Sequence, residues 1–264
     1  MPAAEVWNWT GFYVGGNLGY GWSNGDRTVT ARPNDDSSAF LINGFTNDFT
    51  PARPPVSFGM SGATGGLQLG YNWQFDKWLL GVEADINAAD INGRGAADLV
   101  GGNPGIPFQS TADEHIKWFG TVRARAGFLV TSNLLFYGTA GFAYGQVEQN
   151  AALLFTRQVN APFTVTTVPG SVTCAPLNAP CYIGSTRETA FGWTAGGGAE
   201  YKFARNWSLK GEYLYVDLGN RNYLQRAVNF TGIQSTIQTS SRTTFHTARV
   251  GINYQFGGPV VAKY

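Results

Sequence analysis

Charge is scarce in this chain of 264 residues: 13% are Asp, Glu, Lys or Arg, against roughly a quarter in soluble domains. A surface so poor in charge is badly matched to water. The 18 basic and 17 acidic side chains nearly cancel and form no basic block, which excludes nucleic acid as a partner. No run of 18 apolar residues occurs, so a transmembrane helix is excluded. A membrane is not, because a barrel strand crosses with only about 10 residues of alternating character. The start, MPAAEVWNW, has neither the basic n-region nor the apolar h-region of a signal peptide; an exported protein would be present here in processed form.

Cysteine and histidine are equally rare, two of each. Cys174 and Cys181 close the segment CAPLNAPC, whose two prolines and Asn178 favour a tight turn, so they read as a local loop disulfide in an oxidising compartment. A pair of free thiols is the alternative. With only His115 and His246 to add, a zinc site lacks ligands, and no cofactor is implied.

What is abundant is glycine, 35 residues, and aromatic side chains, 14% of the chain. They sit in segments of period-2 alternation, while helical periodicity is almost absent. In GGLQLGYNWQF, Leu67, Leu69, Tyr71, Trp73 and Phe75 share one face, with Gln68, Gly70, Asn72 and Gln74 on the other. WLLGVEADINA repeats the pattern after a two-residue gap, which makes a hairpin. Eight such strands are expected, at about 9–24, 60–75, 78–92, 113–130, 134–149, 187–203, 207–221 and 241–256. Short turns alternate with long Gly, Pro, Asn, Ser and Thr-rich segments at 25–59, 93–112, 150–186 and 222–240. In an up-and-down barrel this puts every tight turn at one rim and every long loop at the other, as in outer-membrane barrels.

Alternation does not say which face is inside, and a lipocalin-like soluble barrel would put the apolar face inward. Two features oppose that. Large aromatics gather at strand ends: Trp73, Trp78, Trp207 and Phe256 near the tight turns, Trp22, Trp118, Trp193, Tyr215 and Phe245 toward the loops, as expected of two bilayer interfaces. The polar faces hold glycine and small polar residues, which suit a crowded lumen. With Ile116, Trp118, Val122 and Phe128 outward, Lys117, Thr121, Arg123 and Arg125 point inward. The lumen then collects Glu83, Asp85, Glu200 and Glu212 against Arg123, Arg125, Lys210 and Arg249. An eight-stranded ring is only wide enough for side chains, and unpaired charge there costs several kcal/mol, so pairing is expected.

Three functions follow from this arrangement. A charge-paired lumen implies a structural barrel displaying four loops. The many luminal glycines, if they leave space, imply instead a pore for ions or small solutes. A hydrolase is the third reading, but neither histidine has a serine and an acid at suitable spacing. Loop-base cations such as Arg187 and Arg242 would suit lipopolysaccharide phosphates, and the outer wall could pair with a second barrel.

The segments WTGFYVGGNLGYGW, VRARAGF with LLFYGTAGFAYG, FGWTAGGGAEYKFARNWSLKGEYLYVDLG and RVGINYQF resemble the small outer-membrane immunogenic proteins of alphaproteobacteria. This porin-like group shares the barrel of the outer-membrane protein A transmembrane domain. The resemblance implies an eight-stranded barrel at 9–256, with a periplasmic N-terminal segment (1–8) and tail (257–264), antigenic surface loops and a role in envelope integrity. Some members are tethered to peptidoglycan through an Ala-acid start, to which Ala4-Glu5 is the loose counterpart. Such barrels finish on an aromatic read by the assembly machinery, here Phe256 or Tyr264.

Overall fold

The computed structural model describes residues 7–23, 27–33, 56–101, 106–155, 163–165, 172–174, 179–229 and 236–256. Twelve strands run in chain order: β1 (Gly11–Trp22), β2 (Arg27–Pro33), β3 (Val56–Phe58), β4 (Ser61–Phe75), β5 (Trp78–Gly101), β6 (Ile106–Thr131), β7 (Leu134–Phe155), β8 (Phe163–Val165), β9 (Val172–Cys174), β10 (Pro180–Ala204), β11 (Trp207–Ala227) and β12 (Thr236–Phe256). Eight of them pair antiparallel with their neighbours in the order β1-β4-β5-β6-β7-β10-β11-β12, and β1 pairs β12 to close the ring. Closure leaves no lateral edge in this ring, the arrangement that lets strands lie in hydrocarbon.

The tight turns at 76–77, 132–133 and 205–206 lie at one end, where Phe12 pairs Phe256 and brings the first and last barrel strands together. Asp76 takes a left-handed φ of 55°, as the first central residue of a primed hairpin turn does. In outer-membrane barrels the tight-turn end faces the periplasm and the opposite one the outside, and the two ends are named here by that rule.

Outward positions carry the apolar residues. Leu18, Leu67, Leu69, Val82, Ile86, Val250 and Ile252 are exposed on the wall, while Glu83, Asp85, Arg123 and Arg249 are buried inside. A soluble cup would reverse this.

The strands reach much further than the alternation predicts. Much of 93–112, expected as a loop, is strand: β5 runs on to Gly101 and β6 begins at Ile106. At about 3.3 Å per residue the 26 residues of β6 extend about 86 Å, far more than a spanning strand of about 10 residues needs. The extra length continues the wall on the extracellular side. Above Trp22, where β1 ends, β2 takes its place against β12, and β3 pairs β2.

Within β6 one residue is inserted. His115 pairs Glu148 and Ile116 pairs Val147, but the next partner of Gln146 is Trp118, so Lys117 has no opposite number. This β-bulge reverses the inside–outside parity at that height. Two expectations fall with it: Ile116 lies fully buried in the interior rather than outward, and Lys117 turns outward to Glu148.

Inside, side chains are stacked in tiers. Nearest the periplasm are Trp9, Leu79, Leu129, Leu135 and Tyr137. The charged residues come next. Above them lies an apolar tier that includes Ile91, Ile116, Phe119, Leu214, Val216 and Phe245, with Val56, Phe58 and Met60 packed into it from the segment around β3. Phe245, expected in the outer girdle, belongs here: it is inward and meets Phe119 edge-on at 5.2 Å. The odd positions of β12 all point inside, and 245 is one of them.

Candidate functional site

The middle tier is built by β5, β6, β10, β11 and β12, whose alternation turns every second side chain into the lumen. Arg123 donates to Glu83 and, at 2.9 Å, to Asp85, and its other terminal nitrogen lies 3.0 Å from Glu212. Arg125 donates to Glu200 at 2.7 Å and to the Tyr13 hydroxyl at 2.9 Å, with its guanidinium 4.1 Å from the Tyr137 ring centroid. Lys210 bonds both Glu83 oxygens at 2.9 Å. Arg249 donates to Glu212 at 2.6 Å and to Asp85 at 3.0 Å.

Neutral groups take up the remaining acceptors. Tyr13 donates to Glu83 at 2.7 Å, Tyr137 to Glu212 at 2.9 Å, Thr121 and Asn87 to Asp85 at 2.7 Å, and Ser208 and Asn253 to Glu200 at 2.6 and 2.8 Å. All eight sequence-derived charges thus meet in one cluster of four acids and four bases. Each carboxylate accepts several bonds, the condition under which ions tolerate burial.

Luminal glycine does not act as a spacer here. A Cβ on Gly70 would lie 2.4 Å from the Tyr13 hydroxyl, and one on Gly21 2.4 Å from Ile91 Cδ1. The missing side chain is already replaced by a neighbour's.

Sequence reasoning missed the lower closure. Trp9 enters the periplasmic mouth and is 1% exposed. Its backbone N–H donates to Gln74 at 2.9 Å and its indole to the Ser132 carbonyl at 3.1 Å. Lys202 donates to the Asn8 carbonyl at 2.7 Å and to Gln255, and sits 4.8 Å from the Trp9 ring centroid. Gln255 in turn donates to the Thr10 carbonyl at 2.9 Å. A lone tryptophan before the first strand carries no periodic signal; the inward Gln74, Lys202 and Gln255 at that end were the available hint. Above the apolar tier a second polar group was also missed, in which Glu114 accepts from Gln149 and, at 3.0 Å, from Thr243. The bulge conceals it, because parity counted from Arg123 puts Glu114 outside.

The girdle residues lie on the outer wall in contact with other rings. Toward the periplasm Trp73 meets Tyr71 at 4.8 Å, Trp78 meets Phe128 at 5.2 Å, Trp207 meets Tyr254 at 5.1 Å and Phe256 meets Phe12 at 5.7 Å. Toward the outside Trp118 meets Tyr144 at 6.0 Å, Trp193 meets Tyr215 at 5.3 Å and Trp22 stacks on His246 at 5.8 Å. His246 also bonds the Tyr213 hydroxyl at 2.5 Å, as one more ring of the girdle.

Just above the upper girdle the outward charges pair. Lys117 and Arg187 share Glu148 at 2.9 and 3.0 Å, and Arg242 pairs Asp217. The hydrogen bond from Lys117 holds the Glu148 carboxyl below the ordinary carboxylate range. Cys181 is buried and disulfide-bonded; the chain's other cysteine is Cys174, whose side chain lies outside the described residues, as do Ala4-Glu5 and Tyr264.

Known proteins with this architecture are found on comparison. The chain is 34% identical over 253 residues to the 31 kDa outer-membrane immunogenic protein of Brucella melitensis, covering 96% of this chain and 85% of that one. It is 25% identical over 224 residues to a 22 kDa outer membrane protein of Rhizobium leguminosarum, covering 84% and 70%. Among solved structures, the outer membrane protein OprG from Pseudomonas aeruginosa superposes with a TM-score of 0.52 at 14% identity, covering 96% of this chain and 99% of that one, which is a likeness of fold. The profile of the outer membrane protein β-barrel domain matches residues 1–256, and the chain belongs to that family, an outer-membrane β-barrel related to the immunogenic outer-membrane proteins.

Proposed function

We propose that this protein is a structural barrel of the outer membrane: a closed, rigid cylinder that contributes to envelope integrity and presents its extracellular wall and loops at the surface. The observation that carries this reading is the neutral cluster of eight ionised side chains lying between two apolar tiers. An ion entering this space would have to break several charge-assisted bonds and pass two layers packed mainly with apolar side chains, which opposes conduction. The contacts at Gly21 and Gly70 support closure over the alternative of a glycine-lined pore.

The reading is tested in two arms. Proteoliposomes carrying the purified barrel should swell in small sugars or amino acids no faster than empty liposomes. A strain lacking the protein should become more sensitive to detergent and bile salts, and a copy with the luminal charges intact should restore resistance. Rapid swelling, or a deletion strain with unaltered resistance, contradicts the proposal.

A further inference from the structure

Above the upper girdle the ladder between β10 and β11 is interrupted. Ile183 pairs Arg226 and Trp193 pairs Asp217, but between them residues 184–192 of β10 and 218–225 of β11 form no pairs with each other. Both stretches keep their other neighbours: β7 pairs β10 at every position from 183 to 193, and β12 pairs β11 from 220 to 226. Glycine pinches this seam at both margins. A Cβ on Gly184 would lie 2.9 Å from the Leu224 carbonyl oxygen, and one on Gly192 1.8 Å from that of Asp217, an approach only glycine permits. At the lower margin β11 bends: Gly219 takes a φ of 79°, its N–H donates to Asp217 at 2.9 Å, and the register with β12 slips between Asp217 and Asn220. Across the interval β10 carries one residue more than β11, so no single register spans it.

Between the pinches the strands are tied by side chains: Arg221 Nε lies 3.1 Å from Glu188 Oε1. Glu188 pairs Val147, which is fully buried in the interior, so it shares the inward face, yet its side chain is 50% exposed while that of Arg221 is 4% exposed. The exposure is not from the top, since Leu153, Tyr182 and Ile237 lie buried above it. It comes through the seam. Behind Arg221 stands the upper polar group: Arg221 donates to Thr243 at 3.0 Å and Thr243 to Glu114 at 3.0 Å, while Gln149 donates to Glu114 and, at 3.2 Å, to Ser241. Gln225 donates to Thr239 at 2.7 Å. The amide oxygens of Gln149 and Gln225 are buried and receive no donor from the described residues, which disfavours a permanently dry interior at this height.

We propose that the β10–β11 seam is a lateral gate: the strands part between the Gly184 and Gly192 pinches, the Glu188–Arg221 pair latches them, and opening admits water and small polar solutes sideways from the outside into the upper polar group. A stretch held by one ladder in place of two is the first part of a wall to open locally. Both strands keep their far ladders, so the ring below Trp193 is undisturbed. The charged tier lies beneath, so the gate leads to a blind end and gives no path across the membrane. The inference goes beyond the structural role and does not rest on it.

Cysteine accessibility in the refolded full chain tests it. Among the described residues no cysteine is free, so Ser241→Cys, a near-isosteric change at the residue that pairs Arg221, offers a target for aminoethyl methanethiosulfonate, with modification read by mass. S241C should be modified, and S241C/E188A about threefold faster or more, the factor that loss of a part-exposed ion pair allows. Thr121→Cys, in the charged tier, should stay unmodified with or without E188A. Side entry is separated from entry at the top by T189H/N220H: continuing the Ile183–Arg226 register sets these two exposed residues opposite each other, where Zn2+ can bridge the histidines. Bound zinc should slow S241C/T189H/N220H about tenfold or more relative to S241C in the same zinc, with recovery on chelation. Folding of each variant is checked by its heat-shifted electrophoretic mobility, and E188Q serves should E188A misfold. Unmodified S241C, no acceleration in the folded Glu188 variant, or no slowing by bound zinc overturns the proposal. Modification of T121C at the rate of S241C would mean that the whole barrel loosens, and overturns it too.

Discussion

Tyr13 illustrates what the interior demands of a single side chain: its hydroxyl donates to Glu83 and accepts from Arg125, and its ring fills the space beside Gly70. Tyr13→Phe leaves both partners short of a bond and should cost about 1–3 kcal/mol in urea unfolding from lipid vesicles. Arg123→Leu removes the cation that touches three carboxylates, and should cost about 3–5 kcal/mol because buried acids remain uncompensated. Glycines separate by face. Gly70→Ala should destabilise by about 1–3 kcal/mol through its clash with Tyr13, whereas Gly138→Ala, facing open space, should be neutral or stabilise by up to about 1 kcal/mol. At the rim Glu148 has a depressed native pKa, so its contribution is present above the unfolded value of about 4.3 and disappears as pH falls through the lower native one. Glu148→Gln should therefore lower the urea midpoint slightly at pH 7, by an amount that shrinks as the pH falls below the ordinary carboxylate range. The luminal residues were legible because alternation assigns a face to every position once one is fixed. Lys117 and Ile116 were not, because an inserted residue leaves no trace in a pattern of polar and apolar letters.

At the scale of the element, the strand ends tell the same story differently. The tight-turn ends were readable from aromatic and turn residues, and β4, β5, β7 and β11 begin or end within about a residue of the expected positions there. The extracellular ends were not, because above the membrane the outward face meets water, loses its apolar letters and so reads as loop while the hydrogen-bonded ladder continues. The N-terminal segment at Asn8–Thr10 is an element of another kind: an irregular stretch held by Gln74, Lys202 and Gln255. Trp9→Ala should lower stability by about 3–5 kcal/mol, as for other buried aromatics, with the change read from the urea midpoint. Because the charged and upper apolar tiers stand behind it, the same variant should leave liposome swelling at the level of empty vesicles. Swelling by Trp9→Ala alone would mean that the N-terminal segment is the main barrier.

For the whole molecule, the ring of eight strands, its outward apolar band and its charge-paired interior form one consistent solution to a single constraint, that ionised groups must avoid hydrocarbon. Strand count and closure were legible from the spacing of short turns and long segments. The layering of the interior was not, since Ile91, Ile116, Phe119, Leu214 and Phe245 come from four strands and share a height only after the registers are set. The measurement that bears most directly on the closed cylinder is planar-bilayer recording of the purified, refolded wild type in 1 M salt. A sealed, charge-paired lumen predicts a baseline without discrete steps, and the same baseline for Trp9→Ala. Stable unitary conductance from wild-type protein would show a continuous aqueous path through the middle tier and contradict the account.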